Sequence, residues 1–107
     1  GQKSTTSPKG RGSNQEGPPI KVCELLDGLD GPTFLQRCAL GSSGDVADAK
    51  EAVRKAFEIQ LAGKGFSLVE MLSMCPTDWK KSPKEAVKYV NEELKKVFPV
   101  GVIRDRS

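Results

Sequence analysis

The sequence contains no histidine, and this absence removes several kinds of catalytic and metal site at once. Histidine is the commonest general base near neutral pH and a member of the Ser-His-Asp and Cys-His arrangements. Mixed Cys/His zinc sites are excluded for the same reason. The three cysteines, Cys23, Cys38 and Cys75, form no C-x-x-C pair and leave any disulfide scheme one thiol short. A self-contained metal site is therefore not expected.

Long hydrophobic runs are also missing. The chain has no apolar run of about 18 residues, and residues 1–9 are polar, so we predict neither a membrane-spanning helix nor a signal peptide. A cytoplasmic location without a membrane partner is the resulting expectation. The 107 residues, of which 36% are hydrophobic and 29% charged, are typical of one globular domain.

Aromatic and excess basic residues are scarce. The chain has one Trp and one Tyr, and its formal net charge is +3. Lys3, Lys9 and Arg11 stand against Glu16 in the first 19 residues, so the remainder of the chain is nearly neutral. Nucleic-acid binding needs a basic patch or stripe, which is absent, and no nucleic-acid partner is expected.

The chain divides into two parts by composition. Residues 1–19 contain no hydrophobic residue and are rich in Gly, Ser, Thr and Pro, so we predict a flexible polar arm. The arm is either a linker or cut end, or a segment that orders against another part of a larger protein. Residues 20–107 are predicted to form an α/β portion.

Residues 20–107 alternate between helical and extended patterns. The spacing predicts helices over 20–29, from the N-cap Asp45 to about 62, and from Ser82 to the stop at Pro99. It predicts strands over 33–40, 66–73 and 100–103, the second of them covered on both faces. This order implies right-handed crossovers and about three mostly parallel strands with flanking helices, which is the α/β class.

Two further features follow from these patterns. The middle helix is expected to bury the face traced by Val46, Ala49, Val53, Ala56, Phe57 and Gln60. Three strands with two crossover helices leave the edges and one face of a parallel sheet poorly covered. We infer that the chain is part of a larger α/β unit or is buried in an assembly.

Two charged residues lie inside predicted strands. Glu70 interrupts an apolar strand, and Arg37 stands near the middle of the strand before it. A buried charge without a partner is costly, so Glu70 is either a functional carboxylate or the partner of Arg37. The ion pair between neighbouring strands is the simpler interpretation.

The segment Ser73-Met74-Cys75-Pro76-Thr77-Asp78-Trp79 follows a predicted parallel strand, where open α/β sheets place ligands. Cys75 could ligate a metal or cluster, although a small buried thiol is the commoner role. Trp79 is expected to be a packing anchor, with a pocket or interface as the alternative. Residues 41–45 precede a helix and match no phosphate-binding fingerprint, so a capped turn is expected there.

Three stretches resemble one family. Residues 65–79 (GFSLVEMLSMCPTDW), 82–86 (SPKEA) and 98–102 (FPVGV) resemble the C-terminal part of the β subunit of 2-oxoacid:ferredoxin oxidoreductases, especially the 2-oxoisovalerate and 2-oxoglutarate types. The family loop usually reads C-P-T-N-W, and Asp78 replaces the Asn here. Residues 1–8, 10–11 and 19–26 are similar to the family's stretch after its cofactor site.

The resemblance implies the C-terminal part of a thiamine-diphosphate-binding fold, in a subunit that oxidatively decarboxylates a 2-oxoacid to acyl-coenzyme A. Thiamine diphosphate, Mg²⁺ and an iron–sulfur cluster are the implied cofactors of the intact enzyme. Its implied partners are the other subunits, ferredoxin and coenzyme A. The family's G-D-G motif is not in this chain, so the isolated chain is expected to bind no cofactor and to be inactive.

The resemblance also implies a role for one thiol. Cys75 aligns with the last cysteine ligand of members that hold a cluster in this subunit. A single thiolate cannot hold a four-iron cluster, so this role is expected only in the intact subunit. The alternative function, from a different class, is a stand-alone module that binds a partner through its sheet edge and the Trp79 loop.

Overall fold

A computed structural model describes residues 3, 9, 10, 12, 17–75, 79 and 81–107. The elements, in chain order, are α1 (Val22–Asp27), β1 (Pro32–Ala39), α2 (Ser43–Leu61), β2 (Phe66–Leu72), α3 (Pro83–Tyr89), a π-helical segment (Val90–Leu94), α4 (Lys95–Val97) and β3 (Gly101–Asp105). Most of the predicted arm and residues 76–78 of the loop lie outside the described residues. None of the described helices is both long and apolar enough to span a bilayer.

The three strands form one mixed sheet in the order β2-β1-β3. β1 and β2 are parallel, as the crossover through α2 predicts, and their register places Arg37 opposite Glu70. β3 runs antiparallel to β1, with Gly101 opposite Arg37 and Asp105 opposite Phe34. The α/β class is confirmed. The prediction of mostly parallel strands holds for β1 and β2 and is wrong for β3, which is antiparallel to β1.

The path of α3 explains the direction of β3. Ala86 of α3, with Val90 and Leu94 of the π-helical segment that continues it, packs against Ala39 and Leu72, which are the last residues of β1 and β2. The helix therefore lies across the carboxyl ends of these strands. A parallel third strand would need a crossover that returns the chain to their amino ends. Because no such return occurs, β3 begins at the carboxyl end of β1 and runs back along it.

β1 is the central strand and is buried on both faces. Phe34 and Leu35 are each 0% exposed. Cys38 packs with Ala49 and Ala52 of α2 on one face of the sheet, and α1 packs against β1 as well. β2 is only partly buried, so the prediction of a second strand covered on both faces is wrong.

α2 buries only part of the predicted face, because Ala49 is buried as predicted and Val46 and Phe57 are not. Its buried residues are Ala49, Ala52 and Ile59, whereas Phe57 is 66% exposed and Val46 is 37% exposed. The small residues allow the helix to approach the sheet closely, and the larger apolar side chains lie to one side of that contact. The N-cap is Ser42 rather than Asp45, because the Ser42 hydroxyl accepts a hydrogen bond from the Asp45 N–H.

The start of α3 matches the prediction. The Ser82 hydroxyl accepts a hydrogen bond from the Glu85 N–H at 3.2 Å, and Pro83 occupies the first turn. Ala86, Val90 and Leu94 are buried. The π-helical segment that follows was not predicted.

α1 has six residues and is shorter than predicted. Cys23 is its buried residue. Ile20 and Leu29, which the pattern placed on the buried side, lie outside the helix and are 68% and 55% exposed. The Pro-Pro start and the glycines at 28 and 31 shorten the helix at both ends.

Candidate functional site

The carboxyl ends of β1 and β2 are filled by apolar side chains. Ala39 and Leu72 end the two strands, and Trp79 packs against them in one cluster with Ala86, Val90 and Leu94. Trp79 is 8% exposed, and its ring contacts Tyr89 edge-on with centroids 4.9 Å apart. The prediction that Trp79 is a packing anchor is confirmed. In this chain, a hydrophobic core stands where open α/β sheets place ligands.

Cys75 lies at the border of this cluster. It is a free, half-buried thiol that packs against the cluster, and its carbonyl accepts a hydrogen bond from the Trp79 N–H at 3.0 Å. Among the residues that the structure describes, no three Cys, Asp or Glu side chains come together as metal ligands. This donor set does not fit an iron–sulfur cluster or Mg²⁺ held by the chain alone.

Arg37 is the centre of the polar interior. Its side chain is 0% exposed, and its guanidinium donates to Glu24 through two nitrogens, at 2.5 Å and 2.9 Å. Nε donates to Glu70 Oε2 at 2.9 Å. The predicted Arg37–Glu70 ion pair is therefore confirmed, and the bidentate pair with Glu24 was not predicted. Bidentate pairs fix a guanidinium in orientation as well as in position.

Arg37 also contacts the segment between α4 and β3. Nη1 donates to the Pro99 carbonyl oxygen at 3.2 Å, and the guanidinium carbon lies 5.4 Å from the centroid of the Phe98 ring. The Arg37 side chain thus connects β1 with α1, with β2 and with the segment that precedes β3. None of the described buried side-chain nitrogen or oxygen atoms is left without a partner.

The pKa values of Glu24, Arg37 and Cys23 are each shifted away from neutral pH. Hydrogen bonds from Arg37 lower the pKa of Glu24, and those to Glu24 raise the pKa of Arg37. Burial, followed by its hydrogen bond to Glu70, raises the pKa of the Cys23 thiol to about 12. A general acid or base needs a pKa near the working pH. The cluster is therefore suited to holding elements together and unsuited to proton transfer.

The turn before α2 is occupied by the chain's own carboxylate. Asp45 Oδ2 accepts hydrogen bonds from the Gly41 N–H at 3.2 Å and from Lys95 Nζ at 2.7 Å. The Lys95 ammonium lowers the pKa of Asp45. Asn91 Nδ2 donates to the Gly41 carbonyl oxygen at 2.9 Å. The prediction of a capped turn rather than an anion site is confirmed.

A cleft of about 670 Å³ lies between α2 and β3. Its walls carry several charged side chains, most of which pair with one another or with residues nearby. Arg54 pairs with Glu58 and Glu51, and Lys55 pairs with Asp105. Sequence reasoning missed this cleft because it arises where α2 leaves β3 uncovered. Because most of the charged groups in this cleft are paired within the chain, the cleft does not define a particular ligand.

Two curated proteins match the chain along its whole length. The ketoisovalerate oxidoreductase subunit VorA of Methanothermobacter marburgensis is 42% identical over 107 residues. The subunit of the same name from Methanothermobacter thermautotrophicus is 41% identical over 107 residues. The chain spans 22% of the length of each of these relatives. No protein-family model matches the chain, and no solved structure does at a significant level.

These relatives agree with the resemblance read from the sequence in the kind of enzyme, a 2-oxoacid oxidoreductase. Both relatives are named subunit VorA, and the predicted assignment to a β subunit is not confirmed.

Proposed function

We propose that the chain is a segment of a ketoisovalerate oxidoreductase subunit of the VorA kind. The observation that carries the proposal is the identity of 41–42% to two such subunits over all 107 residues. The ketoisovalerate named for both relatives favours a branched-chain 2-oxoacid over 2-oxoglutarate as the substrate of the whole enzyme.

The cofactors implied by the resemblance belong, in this proposal, to the complete enzyme. Thiamine diphosphate with Mg²⁺ would supply the decarboxylation chemistry, and iron–sulfur clusters would carry electrons to ferredoxin while coenzyme A accepts the acyl group. The described residues of this chain do not fit either cofactor by themselves, so we assign no catalytic step to them.

The structural role of the segment is to support the loop that follows β2. The loop residue Cys75 is held from one side by the cluster around Trp79. The two strands that carry this cluster are tied together by Arg37 and Glu70. In the complete subunit, Cys75 would add one thiolate to ligands contributed from elsewhere, and the firm support would fix its position.

The role of Cys75 can be tested by the iron content of the complete subunit. Cys75→Ser, prepared without oxygen, is expected to bind less iron per subunit than the unaltered protein because one ligand is lost. Met74→Ser is the matched control, since Met74 is its exposed neighbour. Equal iron content in both variants and the parent would remove Cys75 from the ligand set.

The enzymatic proposal is tested with the complete enzyme and its partner subunits. Ketoisovalerate, coenzyme A and a dye acceptor are expected to give a branched acyl-coenzyme A product that mass spectrometry detects. The 107-residue chain alone is expected to give none. Failure of the complete enzyme to oxidise any 2-oxoacid would overturn the proposal.

A stand-alone interaction module remains the second candidate function. The observation that favours it is the outer edge of β2, the end strand of the sheet, with which none of the described residues pairs. A polypeptide that consists of these 107 residues alone and binds an unrelated partner through that edge would support it.

A further inference from the structure

The outer edge of β2 has features of a strand that pairs with another. β2 ends the strand order, so no described residue pairs with its outer side. From Ser67 to Leu72 its register with β1 is regular. Exposed edges are commonly protected by lysine, proline or a bulge. β2 has no lysine or proline, and its single charged residue, Glu70, forms an ion pair with Arg37.

The direction of the β2 backbone groups can be read from one hydrogen bond. The Leu40 N–H donates to the Leu72 carbonyl oxygen at 2.9 Å, so the polar backbone groups of Leu72 point toward β1. Backbone groups alternate in direction along a strand. Those of Val69 and Met71 therefore point outward, and those of Glu70 point toward β1. An element that covered this edge would remove water from these groups, and it would then have to supply their hydrogen-bond partners.

The two flanks of α2 differ in character. The flank toward the cleft beside β3 carries charged residues, which include Asp48, Lys55 and Glu58. The opposite flank carries the apolar residues Val46, Val53, Phe57 and Leu61, spaced seven, four and four residues apart along the helix. We call these four residues the apolar flank. Phe57 and Leu61 are 66% and 89% exposed.

The apolar flank borders β2. A groove of about 290 Å³ lies between the two elements. It is lined by Val46, Ala49, Lys50 and Val53 of α2, by Met71 of β2 and by Leu40. Met71 is 40% exposed. An apolar helix flank and an unpaired strand edge thus lie side by side, which is the arrangement that one βα unit presents to the next in a parallel sheet.

We propose that β2 and the apolar flank form a docking surface for a parallel strand and its amphipathic helix, supplied by the remainder of the same subunit. The strand would pair with the outward groups of Val69 and Met71, and the helix would cover Val53 and Phe57. The identity of this occupant rests on the proposed function. The chain spans 22% of the length of its relatives, which leaves ample polypeptide to supply it.

Amide hydrogen exchange in the complete subunit tests this docking. The amides of Val69 and Met71 are expected to exchange within about tenfold of the amide of Glu70, since both sides of β2 would be paired. Free exchange at Val69 and Met71, with Glu70 protected, would overturn the proposal.

A pair of variants tests the contribution of the helix flank. Phe57→Lys is expected to speed exchange at Val69 and Met71 by at least tenfold. The matched control is Leu25→Lys on α1, because Leu25 and Phe57 are both 66% exposed. The control should leave these two amides unchanged. An equal effect of both variants would contradict the proposed place of the helix.

The competing occupant is a second copy of this chain. Light scattering that shows a dimer of the 107-residue chain, with Val69 and Met71 protected only in the dimer, would replace the proposed occupant. Oxidation of ketoisovalerate is measured on the complete enzyme, assembled from the same preparation of the subunit with its partner subunits. Activity with unprotected amides would reject the docking and keep the function, and protection without activity would reject the function and keep the docking.

Discussion

Arg37 and Glu70 lie directly opposite each other on the parallel strands β1 and β2, with Arg37 Nε 2.9 Å from Glu70 Oε2. Arg37 is 0% exposed and Glu70 is 23% exposed at the side chain. Glu24 occupies the two remaining nitrogens of the guanidinium. Because the Arg37 guanidinium is buried, water cannot take the place of a lost carboxylate. The sheet therefore depends on both Glu24 and Glu70.

Replacing Glu70 by Gln should destabilise the fold. Gln keeps the shape but loses the charge, so the free energy of unfolding is expected to fall by about 1 to 2 kcal/mol. Urea denaturation measures it. Glu58→Gln is the control, because its pair with Arg54 is largely exposed and should change stability by less than about 0.5 kcal/mol. An unchanged midpoint for Glu70→Gln would show that the ion pair contributes nothing.

The three thiols should react in a defined order. Cys23 and Cys38 are 0% and 1% exposed, and burial is the main cause that raises the pKa of both. Cys75 is half-buried. Iodoacetamide at pH 8 is expected to label Cys75 first, because a thiol must be accessible and ionised to react. Peptide mapping gives the order, with urea-unfolded protein as the control in which all three react. Labelling of Cys23 as fast as Cys75 would contradict the described packing.

Asp105 should titrate at unusually low pH. Hydrogen bonds from Lys55 and Ser107 lower its pKa from 3.8 to about 2. Because the folded pKa is below the unfolded one, its contribution to stability is present above about pH 4 and is lost as the pH falls toward 2. Carboxyl NMR titration is expected to show this pKa. Lys55→Gln should raise it toward 3.8, and an unchanged value in that variant would exclude the ion pair as the cause.

Gly41 and Asn91 should be energetically coupled. A Cβ added at Gly41 would clash with Asn91 Oδ1, so Gly41→Ala must displace the amide that donates to the Gly41 carbonyl. The expected loss is about 1 kcal/mol, which is typical of one hydrogen bond. In an Asn91→Ala background the same substitution should cost clearly less. Additive losses in this double-mutant cycle would mean that the two residues do not interact.

Local sequence signals predicted the elements better than their arrangement. The Ser82-Pro83 start of α3 is encoded by neighbouring residues and was predicted correctly. The Arg37–Glu70 pair was predictable because both charges interrupt adjacent strands. Glu24 was missed, because its contact with Arg37 depends on where α1 packs.

The errors have one physical origin. Periodicity indicates which residues are apolar, but it does not say what covers them. Val46, Ala49 and Phe57 were assigned to the buried face of α2 because they repeat at helical spacing. Of these three only Ala49 lies in the core, where it packs with Ala52. The direction of β3 likewise depends on which end of the sheet the chain has reached when β3 begins. The alternation of helices and strands does not specify that end.

We have proposed that this chain is a segment of an enzyme that oxidises ketoisovalerate. The most direct measurement is the kcat/KM of the complete enzyme for ketoisovalerate and for 2-oxoglutarate, with coenzyme A and a dye acceptor under anoxic conditions. The account predicts a value at least about tenfold higher for ketoisovalerate, about 1.4 kcal/mol in transition-state stabilisation. A preference for 2-oxoglutarate, or no oxidation of either compound, would contradict it.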